Sequence, residues 1–364
     1  MLLAGICLLL TAIQVAYWIA LDRGFRNALR TSLRLISGPI RDMPSVVVAA
    51  RNEASAIPAL VRALGNQTLR PEEVLLVDDG SSDGTAAIAE REAEASGISL
   101  RALRREDDGG RKKSALTAGI TAARSDAIAL TDGDCVPERG WLEGIARAHG
   151  AANGRAHVVV GYSPYVPRPG VLNRLARYET LVAGFLAAAA AGLDRGYMGV
   201  GRNLSYRRQT FTAIGGFAHA SAIRSGDDDL LVQEVVRRDA AEVVALLESE
   251  TFVRTEAPST WRAWFRQKRR HIAASRYYDW RTSVHLTLLN GTGLLAWVFP
   301  LILGWTGVVL LGLRLLAQFV VLHRASARLG DRDLLAWFPV LEGVWAGVGA
   351  VLAVLAVVAP AKRW

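Results

Sequence analysis

Cysteine is nearly absent: the 364 residues include two. Cys7 lies in an apolar stretch and Cys135 beside an acidic motif. Two thiols so placed exclude a disulfide framework and a zinc cluster, and Cys135 reads as a small packing residue. Charge is missing from long stretches. Residues 2–20 carry none, and such a run is about long enough to cross the ~30 Å hydrocarbon core of a bilayer. No basic residue precedes it, and Asp22-Arg23-Gly24-Phe25-Arg26 follows it where a signal peptide would have a small-residue cleavage site. A retained anchor over residues 1–21 is therefore expected. Residues 284–313 are also uncharged, and the apolar run continues to Leu322 with Arg314 as its ionic break. Residues 334–360 are a further apolar stretch with Glu342 near its start. The segment 284–360 thus reads as three spanning helices, the first two divided near Gly304-Trp305. Internal repeats are lacking, and low complexity is confined to the alanines at 187–191.

What is present fits that picture. Hydrophobic residues make up 51% of the chain, and the formal charge is +9. The basic residues cluster beside the apolar stretches: Arg23, Arg26, Arg30, Arg34 and Arg41 after the first, Arg262 to Arg281 before the second, and Arg324, Arg328 and Arg332 before the last. This is the pattern of the positive-inside rule, so the excess charge points to a membrane surface and not to nucleic acid. One topology satisfies all three clusters: N-terminus outside, the middle of the chain in the cytoplasm, then a re-entering hairpin and a last helix leading out.

The middle, residues 42–256, alternates short apolar runs with helix-like segments. Residues 45–50 (Ser-Val-Val-Val-Ala-Ala) read as a buried parallel strand. Arg51-Asn52-Glu53-Ala54 breaks the run, and a helix follows through Leu64. Strands over 74–77, 98–102 and 127–131 and helices over 86–96 and 113–123 complete the alternation, which predicts a parallel α/β sheet. Ligands bind beyond the carboxyl ends of such strands, where Asn52, Asp79 and Asp132 fall. Further on, 158–166 reads as a strand. The Ala-rich segment 172–191 contains Arg174, Arg177 and Glu179, so it reads as a buried or interfacial helix. Residues 261–278 mix aromatics with seven Arg, Lys and His, a composition for lying in the membrane surface plane, within an interfacial segment 257–283.

Several motifs carry chemistry. Asp132-Gly133-Asp134 closes the fourth strand. Carboxylates this close repel unless a cation or a shared proton relieves them, and hard divalent cations take such oxygens together with phosphate and water. Asp79 can accept a hydrogen bond from a base or a ribose hydroxyl, or close an Asx turn; Asp83 reads as a turn or cap residue. Gly109-Gly110-Arg111-Lys112-Lys113-Ser114 brings three cations to a helix start, which suits a diphosphate or a solvated loop. Asp227, Asp228 and Asp229 precede an apolar helix start. Acids there complement the helix dipole, and a direct displacement needs a base for the acceptor hydroxyl. Gln267-Lys268-Arg269-Arg270-His271 offers cations to lipid headgroups or to a leaving diphosphate.

Together these motifs resemble the family-two inverting glycosyltransferases with a GT-A fold, specifically the membrane-integrated branch that includes cellulose, chitin and hyaluronan synthases. The resemblance runs over residues 45–278. Val47 to Glu53 resembles the opening strand and Asn-Glu pair, and Asp78-Asp79-Gly80-Ser81 the uridine-binding turn. Lys112 to Thr117 is similar to the Lys-x-x-Ala-Leu-Asn segment with Thr for Asn, and Asp132-Gly133-Asp134 to the DxD motif. Gly226-Asp227-Asp228 resembles the Glu-Asp motif with Asp for Glu, Gln267-x-x-Arg270-His271 the QxxRW motif with His for Trp, and Gly201-Arg202-Asn203 an acceptor-side Gly-x-Asn segment.

The resemblance implies a Rossmann-like α/β GT-A catalytic domain with α-helical transmembrane segments. It implies a nucleotide-diphosphate sugar donor of the uridine class, a Mg²⁺ or Mn²⁺ ion, and inversion at the anomeric carbon. Ala50, Asn52, Glu53, Asp79, Lys112, Asp132, Gln267 and Arg270 take the nucleotide-binding positions, and Asp132 and Asp134 the metal positions. Asp228 is the matching base, and Asp227, Asn203 and His271 are acceptor-side. His271 in place of Trp argues for single transfers to a lipid-linked or glycan acceptor hydroxyl. A processive polysaccharide synthase and a polyprenyl-phosphate glycosyltransferase are the alternatives. The implied location is a bacterial-type inner or cell membrane with the catalytic domain cytoplasmic, in cell envelope glycan or glycolipid synthesis.

Overall fold

The computed structural model describes residues 1–105, 112–152, 155–220 and 226–358. It opens with a single helix, α1 (Leu2–Leu35), where an end at residue 21 was expected. The reason is a continuous seam. Cys7, Thr11, Gln14, Trp18, Leu21, Phe25, Ala28, Ser32 and Leu35 are all buried and recur every three or four residues, which keeps them on one helix face. The second half of the seam packs into the cores of the α/β domain, so the helix that begins in the apolar segment ends as part of that domain.

Among the described residues, the domain is built from β1 (Ser45–Ala50), α2 (Ile57–Gly65), β2 (Glu73–Asp79), α3 (Thr85–Ser96), β3 (Leu100–Arg105), α4 (Lys112–Ala122) and β4 (Ala127–Asp132). There follow β5 (Val136–Pro137), α5 (Trp141–Gly150), β6 (His157–Gly161), α6 (Val171–Ala191), β7 (Leu204–Arg207), α7 (Arg208–Ala213), α8 (Asp229–Arg237), β8 (Glu242–Leu246) and β9 (Val253–Arg254). The main sheet has the order β3-β2-β1-β4-β7-β6-β8. All neighbours are parallel except where β7 inserts antiparallel between β4 and β6. Successive side chains of a strand face opposite sides, and the apolar runs divide accordingly. Val47, Leu75, Ile128 and Leu130 join the core shared with α1, α4 and α6. Val46, Val48, Val74, Leu76 and Ala129 join the core under α2, α3 and α5. Burial on both faces is why these strands read as unbroken apolar runs.

The alanines at 187–191 are buried in α6. A Cβ on Gly24 would lie 2.3 Å from the Ala189 carbonyl oxygen, and one on Gly192 would lie 2.0 Å from the Gly24 carbonyl oxygen. Small residues let α1 and α6 touch backbone to backbone, and that is the packing reason for the low-complexity stretch.

The C-terminal part comprises α9 (Trp261–Ala274), α10 (Trp280–Ala296), α11 (Phe299–Leu303), α12 (Trp305–Leu329) and α13 (Phe338–Val358). Three helical segments are long and apolar enough to cross a membrane among the described residues: Leu2–Leu35, Trp305–Leu329 and Arg332–Leu352. The expected first C-terminal span is shorter than expected, because α10 has 17 residues and breaks before the five of α11. A 3-10 turn, Arg332–Trp337, joins α12 to α13. This hairpin tip docks on α6, where buried Arg177 donates to Asp331 (2.7 Å) and Asp333 (2.6 Å), and Leu329, Leu334 and Phe338 enter the domain core.

Candidate active site

The register Ala50↔Asp78 and Ala49↔Asp132 aligns the carboxyl ends of β1, β2 and β4 on one sheet edge. The loop after β1 is tied to the loop after β2. Asn52 adopts φ 56°, a left-handed conformation that Asn tolerates better than most residues. Its backbone N–H donates to Ser81 Oγ, and its Oδ1 accepts from Ser82 N–H, each at 3.0 Å. Glu53 N–H donates to Thr85 Oγ1 (2.9 Å) and Ala54 N–H to Asp83 Oδ2 (3.0 Å). Asp83 also accepts from Thr85 N–H, the turn role expected of it. Asn52 therefore works here as a loop clamp. Asp79 is buried at the end of β2, and Asp78 accepts from Ser81 N–H at 2.9 Å.

Asp132 and Asp134 follow at the end of β4. Their carboxylates and Cys135 Sγ offer atoms within 4.8 Å of one another. Gly133 permits the close approach to the β1 loop, since a Cβ there would sit 3.1 Å from Glu53 Cγ. The crowding of acids is felt at Glu53, whose pKa is raised to about 7 by burial first and then by Asp134, Asp132 and Asp83. Two carboxylates this close are a fitting donor set for a hard divalent cation. Burial and the same two aspartates push the Cys135 thiol up, so it stays protonated and does not suit such an ion.

A cation already reaches into this corner. Lys112 Nζ lies 2.7 Å from Asp132 Oδ1 and 3.3 Å from Asp227 Oδ2. Desolvation opposes the ammonium, but Asp132, Asp227 and Asp228 outweigh it and raise its pKa. Asp132 is desolvated too, yet Lys112, Arg202 and Arg270 hold it below the usual carboxylate range. Lys113 is used differently, donating to the Ala220 carbonyl at 2.8 Å. Gly109, Gly110 and Arg111 of the expected diphosphate loop lie outside the described residues.

Asp228 caps α8. Its Oδ1 accepts from Asp229 N–H (2.9 Å) and its Oδ2 from Gly201 N–H (3.1 Å). Burial and Asp227 raise its pKa above the ordinary aspartate value. On α9, Gln267 Oε1 accepts from Tyr165 Oη at 3.3 Å, and the charge of Arg270 reaches Asp132. Lys268 is buried in an ion pair with Glu179 of α6, which fastens α9 to the domain. Desolvation and then Lys268, Arg270, Arg202 and Lys112 lower the His271 pKa below the ordinary histidine value.

Asn203 needs a correction. It is 2% exposed and accepts from Trp141 Nε1 at 2.9 Å. Its amide donates to the carbonyls of Tyr162 (2.9 Å) and Thr251 (3.1 Å). A side chain so enclosed cannot meet an acceptor; it holds α5 and the flanking loops together. Asn203→Ala should lower stability by about 3 kcal/mol, since it strands buried partners, without a selective change in acceptor KM; thermal melts beside acceptor titrations check this. Its neighbour Arg202 went unremarked as a site residue. The Arg202 guanidinium donates to Ser163 Oγ (2.6 Å), lies 5.2 Å from the Tyr165 ring centroid and acts on Asp132. The signal for it was an arginine inside the Gly201-Arg202-Asn203 segment.

A family profile described as "Glycosyl transferase family 2" matches residues 45–215. The glycosyltransferase AglE of Haloferax volcanii is 37% identical over 101 residues, 27% of this chain and 33% of that protein. An undecaprenyl-phosphate 4-deoxy-4-formamido-L-arabinose transferase of Sodalis glossinidius is 36% identical over 96 residues, 26% of this chain and 29% of that protein. A cholesterol galactosyltransferase of Borreliella burgdorferi is 30% identical over 99 residues, 27% of each chain. The chain thus spans a third or less of the length of these relatives. Among solved structures, a mannosyltransferase from Pyrobaculum calidifontis in complex with GDP-Man and Mn²⁺ superposes over 96% of this chain and 99% of its own, with a TM-score of 0.54 at 19% identity. That likeness establishes a shared fold.

Proposed function

From a family 2 glycosyltransferase domain over residues 45–215, we propose that this chain transfers a sugar from a nucleotide-diphosphate donor to a lipid-linked acceptor at a membrane surface, with inversion. The observation that carries this reading is Lys112, whose ammonium spans Asp132 at 2.7 Å and Asp227 at 3.3 Å. One cation links the acids at the end of β4 to the acids at the start of α8. A donor diphosphate on the β4 side and an acceptor on the α8 side would then face each other across it.

Asp132 and Asp134 would hold a Mg²⁺ or Mn²⁺ ion, which when bound neutralises charge on the diphosphate. Asp79 and the loop tied by Asn52 and Glu53 line the nucleoside end. Lys112, Arg202 and Arg270 supply positive charge toward the leaving group, and Gln267 and Ala50 border it. Asp228 takes the acceptor proton as the acceptor oxygen bonds to the anomeric carbon and the carbon–diphosphate bond breaks. Each of its oxygens keeps a lone pair for that proton beyond its backbone hydrogen bond, and its raised pKa suits a base. Asp227 and His271 border the acceptor. The apolar helices and the basic residues beside them support an integral membrane setting with this site on the cytoplasmic face.

A polyprenyl-phosphate acceptor is the second reading. It is favoured by the name of the Sodalis relative and by the two backbone hydrogen bonds already on Asp228. The test is transfer by the detergent-purified chain across a panel of nucleotide sugars, with hydroxyl lipids and polyprenyl phosphate as acceptors. Asp228→Asn should slow transfer to a hydroxyl by about 10²–10⁴-fold, and a phosphate acceptor should tolerate it. Turnover on hydroxyl lipids undiminished by Asp228→Asn would overturn the base assignment, and long polymer as product would favour a processive synthase despite His271.

A further inference from the structure

We propose that Asp229 and Gln233 of α8, together with Tyr278, form a two-rung clamp that positions the Asp228 carboxylate and ties it to the junction between α9 and α10. The proposal rests on the transferase reading above, and it concerns residues that reading leaves without a role.

The rungs are hydrogen bonds on one face of α8. Asp229 Oδ1 accepts from Gly199 N–H at 3.1 Å, and Asp229 Oδ2 accepts from the Tyr278 hydroxyl. One turn later, Gln233 Nε2 donates to the Tyr197 carbonyl at 3.1 Å, and Gln233 Oε1 accepts from Asp279 N–H at 3.0 Å. Residues four apart lie on the same face of a helix. Each rung therefore holds the 197–201 loop at one end and the 278–279 junction at the other, with α8 as the spacer.

The loop held this way completes the site. Gly201 N–H donates to Asp228 Oδ2, so neighbouring carboxylates grip alternate amides of one strand of chain. A Cβ on Gly199 would lie 3.2 Å from Val232 Cγ2, and one on Gly201 would lie 3.4 Å from Asp228 Oδ2, which shows how closely the loop is pressed to α8. The next residue is Arg202, whose guanidinium acts on Asp132. Displacing the loop would move the partner of Asp228 and Arg202 together.

The other end of each rung meets the membrane-facing part of the chain. Asp279 caps α10, accepting from Arg281 N–H (2.8 Å) and Thr282 N–H (3.1 Å). Tyr277 and Trp280, on either side of the clamp residues, are 59% and 71% exposed, as aromatics at a bilayer interface are. The seating of this junction on a membrane would thus be felt at the acid.

The clamp also shapes the local electrostatics. Burial and then Asp228 raise the Asp229 carboxyl well above the usual range, while the Tyr278 hydroxyl pulls it down. The other groups facing this pair are Asp227 on the same turn, Lys112 and Lys113 from α4, and Tyr197 from the loop.

The experiment uses the full chain in detergent with Tyr278→Phe and Asp229→Asn. Tyr278→Phe should lower kcat about tenfold, the worth of one hydrogen bond, with donor KM unchanged. Hydrogen exchange should speed up at the Gly199 and Gly201 amides and stay constant in β1 and β4. Asp229→Asn, which replaces the acceptor facing the Tyr278 hydroxyl with an amide, should lower kcat in the same direction. Unchanged exchange at Gly199 and Gly201, or faster exchange with kcat intact, overturns the clamp. Faster exchange in a chain that, before any substitution, turns over no donor on the panel retires the transferase reading instead, leaving the clamp as a structural tie with no base to position.

Discussion

Asp132→Asn should reduce sugar transfer by at least about 10²-fold, the scale seen when one preorganised electrostatic contact to a transition state is lost. The substitution keeps the shape of the side chain and removes its charge. Two consequences follow from the geometry. The proposed cation loses one of two anionic ligands, and an amide is a weaker partner for a hard ion than a carboxylate. Lys112 loses the charge of its 2.7 Å partner and keeps the Asp227 contact at 3.3 Å, so the ammonium is drawn from the donor side toward the acids of α8. Mn²⁺ or Mg²⁺ should restore activity to the chelator-treated protein, and neither should restore it to Asp132→Asn. The thermal midpoint should change little, because Asp132 is part-exposed at the end of its strand. Full activity of the unaltered protein in excess chelator would sink the assignment of Asp132 and Asp134 to a metal.

Glu342→Ala is the substitution expected to cost most in stability, about 3–5 kcal/mol, the usual result of leaving one member of a buried ion pair without its partner. Glu342 accepts from Arg314 Nη2 (2.6 Å), Gln318 Nε2 (2.9 Å) and the Tyr178 hydroxyl (2.6 Å). Gln14 of α1 lies 3.5 Å from Arg314 Nε and also donates to Thr292 Oγ1 of α10 at 2.6 Å. This network joins α1, α10, α12 and α13 to α6 of the α/β domain. A cation with its acid removed would sit in an apolar bundle, whereas removing both charges leaves only packing to restore. The double variant Arg314→Leu with Glu342→Leu should therefore be more stable than Glu342→Ala alone, by thermal unfolding in detergent. Equal melting of Glu342→Ala and the unaltered chain would show that the network carries no stability.

Arg314 also shows where reading the chain residue by residue stops. It stood as the single ionic break in an apolar stretch, with Glu342 noted 28 positions later and no link between them. Which helices lie side by side is set by packing, and that packing makes the pair. Asn203 is a parallel case. Its spacing from Gly201 resembled an acceptor contact, but β7 inserts antiparallel between β4 and β6 and carries Asn203 inside. Four residues, Leu204–Arg207, hold too short a pattern to announce that insertion. Arg202 and Tyr278 likewise acquire meaning only through Ser163, Tyr165 and Asp229, which are distant in the chain.

The strands β1, β2 and β4 needed no structure to be seen. A strand covered on both faces must be apolar throughout, and the polar residues that end such a run mark the ligand edge. Hence the positions of Asp79 and Asp132 at one sheet edge were legible from local composition, as were the helices between. The end of α1 was not. A seam repeating every three or four residues includes Thr11, Gln14 and Ser32, and polar members are recognised as core only when their partners are known: Leu289 and Thr292 for Gln14, and Leu247 for Ser32. Local chemistry thus dictated the elements and the acids at their ends. Lys112 between Asp132 and Asp227, Asn203 in the interior and Arg314 on Glu342 were decided by tertiary packing, because hydrogen bonds and charge pairs depend on distance in space, which separation along the chain does not determine.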